Sequence, residues 1–556
     1  MSSHSSLRSR RVRTRAAGAA VIAALLLGGC AAGSNQSSTT SGTAGSAAGT
    51  SGSGSAPAGA SGELRIAIPA YPGSWDQDFV AFDPVALAVF KNVYPYLVDY
   101  GVTQVDGKPV MDTATILPAW AESFTSTDGA LWTLKLREGA KFPSGNPITA
   151  EDVKWSKDRA FAAKANVAGV YSLIGLTDPS QITVVDDRTV TFQQAFPSAL
   201  SEQIQAISLF IYDSKKMKEH ATDADPWAKE WAAQNPSDGG LYNVSAATPG
   251  QEIVLTANPD YPAEDGPKTQ TIRLTVASDP AAESLLLRNG DVDIALGLGR
   301  QEIADLSGVN GLTTITSPSN EMISMPMNVA AAPFDNPQVR QAVALAVPYD
   351  SIISSVYNGG ARRPKSIVPI DMPGYSEAGF PYDTDLDKAK ALMAQAGNPA
   401  ITTQIVYAAE SGEQQQIAVL VSDALAKIGI TATPTPLDAA TLGQRRAAKD
   451  IPLQITSGQQ WVNDVEYLMN GWTTGAYLNW SNYSNPTVDA AVEKSHTTTD
   501  SAERTALWTQ IQQQFATDVP VIPLAQPDFV LPVADSVGGY VQPVDGLIRL
   551  RYLTKG

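Results

Sequence analysis

Residues 385–430 read DLDKAKALMAQAGNPAITTQIVYAAESGEQQQIAVLVSDALAKIGI, and the order of signals in this stretch decides the fold class. Leu386, Ala389, Leu392, Met393 and Ala396 recur at the three-and-four spacing of one helix face, with Asp385 before them as an N-cap and Gly397 after them as a stop. Residues 402–408 then form a short β-rich run. Ile417, Leu420, Val421, Ala424, Leu425 and Ile428 repeat the helical period, Gly429 stops it, and a second strand begins at Ile430. Helix, strand, helix and strand in turn predict an α/β region built on a mixed sheet.

The same signals extend outward. Val339, Ala342, Val343 and Ala346 form another helical stripe, entered through Asn336 as N-cap with Pro337 at the first helical position. Strands are expected at 63–68, 131–136, 253–256 and 272–276, and residues 182–185 and 189–192 read as a hairpin turned by Asp186 and Asp187. Pro143, Ser144, Gly145 and Asn146 form a turn leading to a helix that Thr149 caps with Asp152 at its third position. Trp227 and Trp231, with Asp223, Asp225 and Glu230 around them, read as a solvated helix face over a buried stripe.

Composition narrows the function classes. With 556 residues, 43% hydrophobic and 17% charged, the chain is long enough for more than one domain and rich enough in apolar residues to bury a core. Its 39 Lys and Arg against 56 Asp and Glu give −17, and loss of the five arginines that precede Cys30 (Arg8, Arg10, Arg11, Arg13, Arg15) gives −22. Such a surface repels phosphate backbones, so nucleic acid is not an expected partner. One cysteine and three histidines (His4, His220, His496) supply neither a disulfide framework nor a zinc or thiol centre, and no metal or cofactor is expected.

Cys30 follows a basic segment and an apolar run at 16–27, which reads as a signal peptide over residues 1–29. A dozen apolar residues fall short of the roughly twenty needed to span a bilayer as a helix. Leu27-Gly28-Gly29-Cys30 resembles the lipobox of bacterial lipoproteins, which implies a diacylglycerol on Cys30 and attachment to the outer face of the bacterial cell membrane. Arg10 and Arg11 lack the apolar pair expected of a twin-arginine signal, so the general secretory route is preferred. Residues 30–62 are almost entirely Ser, Gly, Ala and Thr after the cysteine, a flexible tether averaging on the order of 30 Å end to end. The folded part is expected from Glu63.

Several collinear runs carry a family resemblance. They are Leu117-Pro118-Ala119-Trp120-Ala121-Glu122-Ser123; Trp132 to Phe142, reading WTLKLREGAKF; Gly145 to Val153, reading GNPITAEDV; Pro333 to Ala342, reading PFDNPQVRQA; Ala389-Lys390-Ala391-Leu392 with Ala396-Gly397; Lys427-Ile428-Gly429-Ile430; and Tyr483-Ser484-Asn485-Pro486-Thr487-Val488-Asp489. In this order they resemble family 5 solute-binding proteins, the extracytoplasmic receptors of peptide and nickel ABC importers. The resemblance implies a two-lobed periplasmic-binding-protein-like fold of type II, with mixed sheets flanked by helices. Lobe I would comprise 63–320 and 525–556, with an extra subdomain at about 85–240, and lobe II 321–524. The chain would cross near 317–328 and return near 519–530.

The resemblance also implies a site. In peptide-binding members a Trp and an Ala-Asp-Tyr run carry the aspartate that pairs with the peptide amine. Here the run is Trp461-Val462-Asn463-Asp464-Val465-Glu466-Tyr467, which places Asp464 on that aspartate and Trp461 on the aromatic before it, and departs from the pattern at Asn463 and Val465. Tyr71 and Trp75, just after the first strand, and Trp472, Asn479, Trp480 and Tyr483, beyond Asp464, complete the candidate pocket. The function implied is capture of short peptides between the lobes and delivery to a membrane permease by a monomeric, lipid-anchored receptor. The alternatives are a non-peptide solute, such as an oligosaccharide or metal chelate, and a cell-surface hydrolase. Catalysis is not expected: Asp186 with Asp187 and Asp291 with Asp293 are the carboxylate pairs at hand, and neither a Gly-x-Ser-x-Gly elbow nor a phosphate loop occurs.

Overall fold

The computed structural model describes residues 61–80, 84–262, 266–476 and 478–556; the expected signal peptide, Cys30 and the expected tether up to residue 60 lie outside them. Its first strand runs Ser61–Ile68, beginning two residues before the expected start of the folded part. It occupies the middle of a seven-stranded sheet ordered Leu312–Ser317, Phe529–Ala534, Ile294–Ala295, Ser61–Ile68, Thr269–Val276, Glu252–Ala257 and Tyr242–Thr248. The sheet is mixed, because Ser61–Ile68 pairs in parallel with both of its neighbours while the other pairings are antiparallel. Side chains alternate as the pleat requires: Leu64, Ile66 and Ile68 enter the main core of lobe I, and Ala67 faces Leu287 and Leu306 on the other side.

The expected 131–136 strand and 182–192 hairpin belong to a second, four-stranded antiparallel sheet ordered Ala121–Ser126, Leu131–Leu136, Thr189–Gln193 and Ile182–Asp186. Trp132, Leu134 and Leu136 are buried, whereas Leu131 is exposed. The helix Ala150–Ala162 packs beside this sheet, and Asp152 closes its first turn by accepting from the Thr149 backbone N–H and hydroxyl, both at 2.8 Å. Trp227 and Trp231 are half-buried against the same core.

Lobe II is built around two further sheets. One has the order Ala361–Arg362, Val521–Pro527, Glu321–Pro326 and Thr456–Gln459; the other has the order Ile430–Leu437, Ile401–Ala408 and Leu453–Gln454. The second is parallel throughout, unlike the mixed sheet expected of this region. The helices Gly412–Ala426 and Ala439–Ala448 occupy its two connections, and a helical crossover returns the chain in the same direction. The stripes behave as read: Ile417, Val421, Ala424 and Leu425 are buried, as are Ala389 and Met393 in the helix Leu386–Gln395. Asp385 caps that helix through the Lys388 N–H at 3.0 Å, and Asn336 caps Pro337–Ala346 through Gln338 N–H at 2.9 Å. Gly397, with φ of 86°, ends its helix in the left-handed conformation glycine accepts most readily.

Two short passages join the lobes. The chain leaves the seven-stranded sheet after Ser317 and enters the lobe II sheet at Glu321. Its return follows Pro527, which still pairs with Ala361, so the strand Val521–Pro527 stays whole in lobe II and the crossing falls after residue 524. The passages are bonded to each other. Ser319 Oγ donates to the Pro527 carbonyl at 2.7 Å, and the buried Gln526 amide donates to the Ser319 carbonyl at 2.6 Å while accepting from Ile370 N–H at 2.7 Å.

Candidate ligand site

The run Trp461–Tyr467 belongs to lobe II but touches lobe I. It leaves the strand Thr456–Gln459, and Val462 is fully buried in the lobe I core, with Trp461, Tyr467 and Tyr71 half-buried against that same core. Asn463 lies between three parts of the chain. Its backbone N–H donates to Gln203 Oε1 of lobe I at 3.0 Å, and its side-chain oxygen accepts from Asn320 of the first passage at 3.3 Å. The segment named by the resemblance is therefore where the two lobes meet.

Asp464 is the N-cap of the short helix Val465–Met469, accepting from Glu466 N–H at 2.8 Å. Arg504 Nη2 reaches both Asp464 oxygens, at 3.0 and 3.1 Å, and Glu466 Oε2 at 2.7 Å. His496 Nδ1 lies 3.0 Å from the other Glu466 oxygen. The four side chains differ in access: Glu466 is 1% exposed, Arg504 8%, Asp464 11% and His496 20%. Burial pushes the Asp464 carboxyl up to about 6, against the pull of the Arg504 cation and the Glu466 N–H. From lobe I, the ring of Phe196 lies 5.9 Å from that of His496.

Arg504 and His496 carry no local signal in the sequence, and Glu466 lies inside the 461–467 run without being singled out there. The helices Pro486–Thr497 and Ser501–Asp518 form a hairpin whose three-residue link brings His496, near the end of one, beside Arg504, in the first turn of the other. The hairpin packs against the 465–469 helix, and Val465, Met469, Val488, Val492, Trp508 and Phe515 form one cluster along it. Arg504 also lies over the Trp508 ring, 4.6 Å from its centre.

The remaining candidate residues divide by location. Tyr71 sits edge-on to Trp75 at 6.0 Å and accepts from the Trp75 indole N–H at 3.2 Å. Trp75 is 3% exposed and packs on Phe90, so its role is to support Tyr71 from within the core. Asn479 is fully buried and uses both amide hydrogens and both oxygen lone pairs on Thr473, Tyr483 and Ser481, which makes it the brace of the 473–483 loop. Tyr483 donates to Asp518 at 2.5 Å and packs on Phe515, inside lobe II. One face of Trp480 is covered by the Arg446 guanidinium at 4.2 Å, and Trp472 meets Phe515 edge-on at 5.9 Å. The structure therefore unites Trp461, Asn463 and Asp464 at the lobe contact and draws Asn479 and Tyr483 into the scaffold of lobe II.

One member of each carboxylate pair weighed for catalysis has structural partners. Asp293 is buried and bonded to Arg65 and Lys555, and Asp186 turns its hairpin by accepting from Arg188 N–H at 2.9 Å. Among the described residues no group of three or more His, Cys, Asp or Glu is placed to hold a metal ion, and no helix is long and apolar enough to cross a membrane.

Comparison with known proteins bears on the same region. The model of the bacterial extracellular solute-binding proteins, family 5, matches residues 115–480, more than half of the chain. The chain is 27% identical over 448 residues to the probable D,D-dipeptide-binding periplasmic protein DdpA of Escherichia coli, spanning 80% of this chain and 83% of that one. To the glutathione-binding protein GsiB of Shigella boydii it is 27% identical over 443 residues, 76% of this chain and 82% of the relative. In fold it is similar to the periplasmic binding protein DppA of Helicobacter pylori in complex with the peptide STSA, with a TM-score of 0.77 at 23% identity over 89% of this chain and 98% of that one. The substrate-binding protein CtaP of Listeria monocytogenes gives 0.76 at 24% identity, over 89% and 99%. With a two-lobed α/β fold, joined by paired passages and matched across most of its length, the chain belongs to the family 5 bacterial extracellular solute-binding proteins.

Proposed function

We propose that this chain is the receptor of an ABC importer that captures short peptides between its lobes and hands them to a membrane permease. The observation that carries the reading is Asp464, a carboxylate in a largely buried setting at the place where lobe II meets lobe I. A carboxylate there makes charge-assisted hydrogen bonds to an ammonium group with little competition from water. Asp464 Oδ2 receives one donor, Arg504 at 3.1 Å, and retains acceptor capacity for a ligand N–H. Trp461, three residues before it, is half-buried against the lobe I core, as is Tyr71, and Asn463 ties the segment to lobe I. The dipeptide- and glutathione-binding relatives support the peptide class.

The rest of the reading concerns where the receptor works. Cys30 carries the lipid, residues 31–60 hold the lobes clear of the membrane on its outer face, and a monomer delivers its cargo to the permease. Lobe I comprises 61–320 and the C-terminal segment, with the subdomain at about 85–240, and lobe II lies between.

Calorimetry tests the ligand class. Ala-Ala, Ala-Ala-Ala and Ala-Ala-Ala-Ala are titrated into the purified chain beside maltotriose and cellotriose. Saturable binding of at least one peptide and of neither sugar is expected; binding of a sugar with no peptide response would overturn the assignment.

A further inference from the structure

The cluster around Asp464 holds two carboxylates and one permanent cation. Asp464 and Glu466 share Arg504, whose Nη2 lies within 3.1 Å of three of their four oxygens. Counted over Asp464, Glu466 and Arg504 with both carboxylates ionised, the cluster carries one net negative charge. If Asp464 stood alone with Arg504, the pair would be neutral and would have little to offer a cation beyond a hydrogen bond. The charge left over comes from the second carboxylate. Glu466 is 1% exposed, lies behind Asp464 on the first turn of the same helix, and is held by Arg504 on one oxygen and His496 on the other.

We propose that Glu466 is a specificity-determining residue that never touches the ligand: it offsets Arg504, so that Asp464 meets the ligand's ammonium with an uncompensated negative charge. This rests on the peptide-amine reading of Asp464 given above. Arg504 is then a positioning residue, fixing the Asp464 rotamer at the helix N-terminus while Glu466 balances its charge. The arrangement answers a conflict built into the site. An unpaired buried carboxylate is costly to the empty receptor, whereas a fully paired one attracts no cation. Two carboxylates on one guanidinium hold the geometry and keep the charge.

The test uses charge arithmetic. The full-length chain and its variants are titrated with Ala-Ala, Ala-Ala-Ala and Ala-Ala-Ala-Ala, each with a free and an N-acetylated amino terminus, and the readout is the affinity ratio of free to acetylated peptide. Glu466→Gln keeps the shape and takes the cluster to neutrality. It is expected to lower the ratio about tenfold, the effect of one unit charge over roughly 6 Å at an effective dielectric constant of about 40, with acetylated peptides unaffected. The double variant Glu466→Gln with Arg504→Gln returns the cluster to one negative charge and is expected to restore the ratio, whereas a merely structural role would make the double variant worse than the single. If Glu466→Gln fails to give a cooperative melt, Arg504→Gln alone serves, with two negative charges and a ratio at or above the wild-type value. A wild-type receptor that prefers free amines, with a ratio unmoved by Glu466→Gln or unrestored in the double variant, refutes the role of Glu466 alone. A wild-type ratio near one, or no peptide binding, removes the amine reading of Asp464 and this inference with it.

Discussion

Replacing Asp464 by asparagine should move binding and stability in opposite directions. Asparagine is as good an N-cap as aspartate, so the bond to Glu466 N–H and the start of the 465–469 helix survive. The negative charge does not. Losing one partner of a buried charge pair costs at least about 2 kcal/mol, which is a 30-fold or greater rise in Kd for a free-amine peptide. Stability of the empty receptor follows from linkage. The Asp464 carboxyl is raised from 3.8 to about 6 on folding, so its contribution is fully present below pH 3.8 and is lost as pH rises through about 6. At pH 7 the ionised group therefore disfavours the folded state by up to about 3 kcal/mol at 1.36 kcal/mol per pH unit, and the asparagine variant escapes that penalty. The expected result is a ligand-free melting temperature at pH 7 no lower than wild type, together with the loss of affinity, measured by calorimetry and thermal denaturation on the same preparation. Asp464→Ala escapes the same penalty but removes the cap, about 1 kcal/mol, so it should be less stable than the asparagine variant while losing affinity as well. An asparagine variant that binds free-amine peptides like wild type refutes the amine anchor. One that loses affinity only in step with a several-degree fall in melting temperature refutes the separation of roles.

The remaining predictions concern pH, the ligand-site support and the lobe I core. Because the ammonium binds ionised Asp464, lowering pH from 7 to 5 should raise Kd about tenfold, and Asp464→Asn should flatten that profile; an equally steep profile in the variant would assign the titration to another group. Gly374 has φ of 93°, and a Cβ there would come within 2.5 Å of the Trp508 ring, so Gly374→Ala should cost about 2–4 kcal/mol in denaturant unfolding and weaken peptide binding through the Arg504 packed on Trp508. Arg159 is fully buried and paired with Asp76 and Asp78 in the loop after the first strand; Arg159→Met strands two carboxylates and should cost about 3–5 kcal/mol, seen as a fall in the denaturation midpoint.

Elements governed by local rules were legible in the sequence. Asp385, Asn336 and Thr149 announce their helices because a cap and its partner in the first turn are two or three residues apart, and the 417–428 stripe reports its buried face through the helical period alone. Sheet direction was harder. A strand's sequence does not say whether its neighbour runs with it or against it, and the 401–437 sheet is parallel because both of its connections hold helices. The site was legible where its residues are contiguous, from Trp461 to Tyr467. Arg504 and His496 were not, because a helix hairpin brings them to Asp464 and Glu466 from 30 to 40 residues away. Asn479 and Tyr483 have the chemistry of ligand contacts and the location of scaffold, and only their hydrogen-bond partners separate the two.

The central claim, capture of peptides through a free amine, is tested most directly by native mass spectrometry of the chain from Glu63 onward, purified without denaturation and followed by fragmentation of whatever it has retained. The account predicts a set of small masses that resolve to peptides with free amino termini, displaced from wild type by added Ala-Ala-Ala and absent from Asp464→Asn. A single sugar or chelate mass, or peptides with blocked amino termini retained equally by the variant, would contradict it.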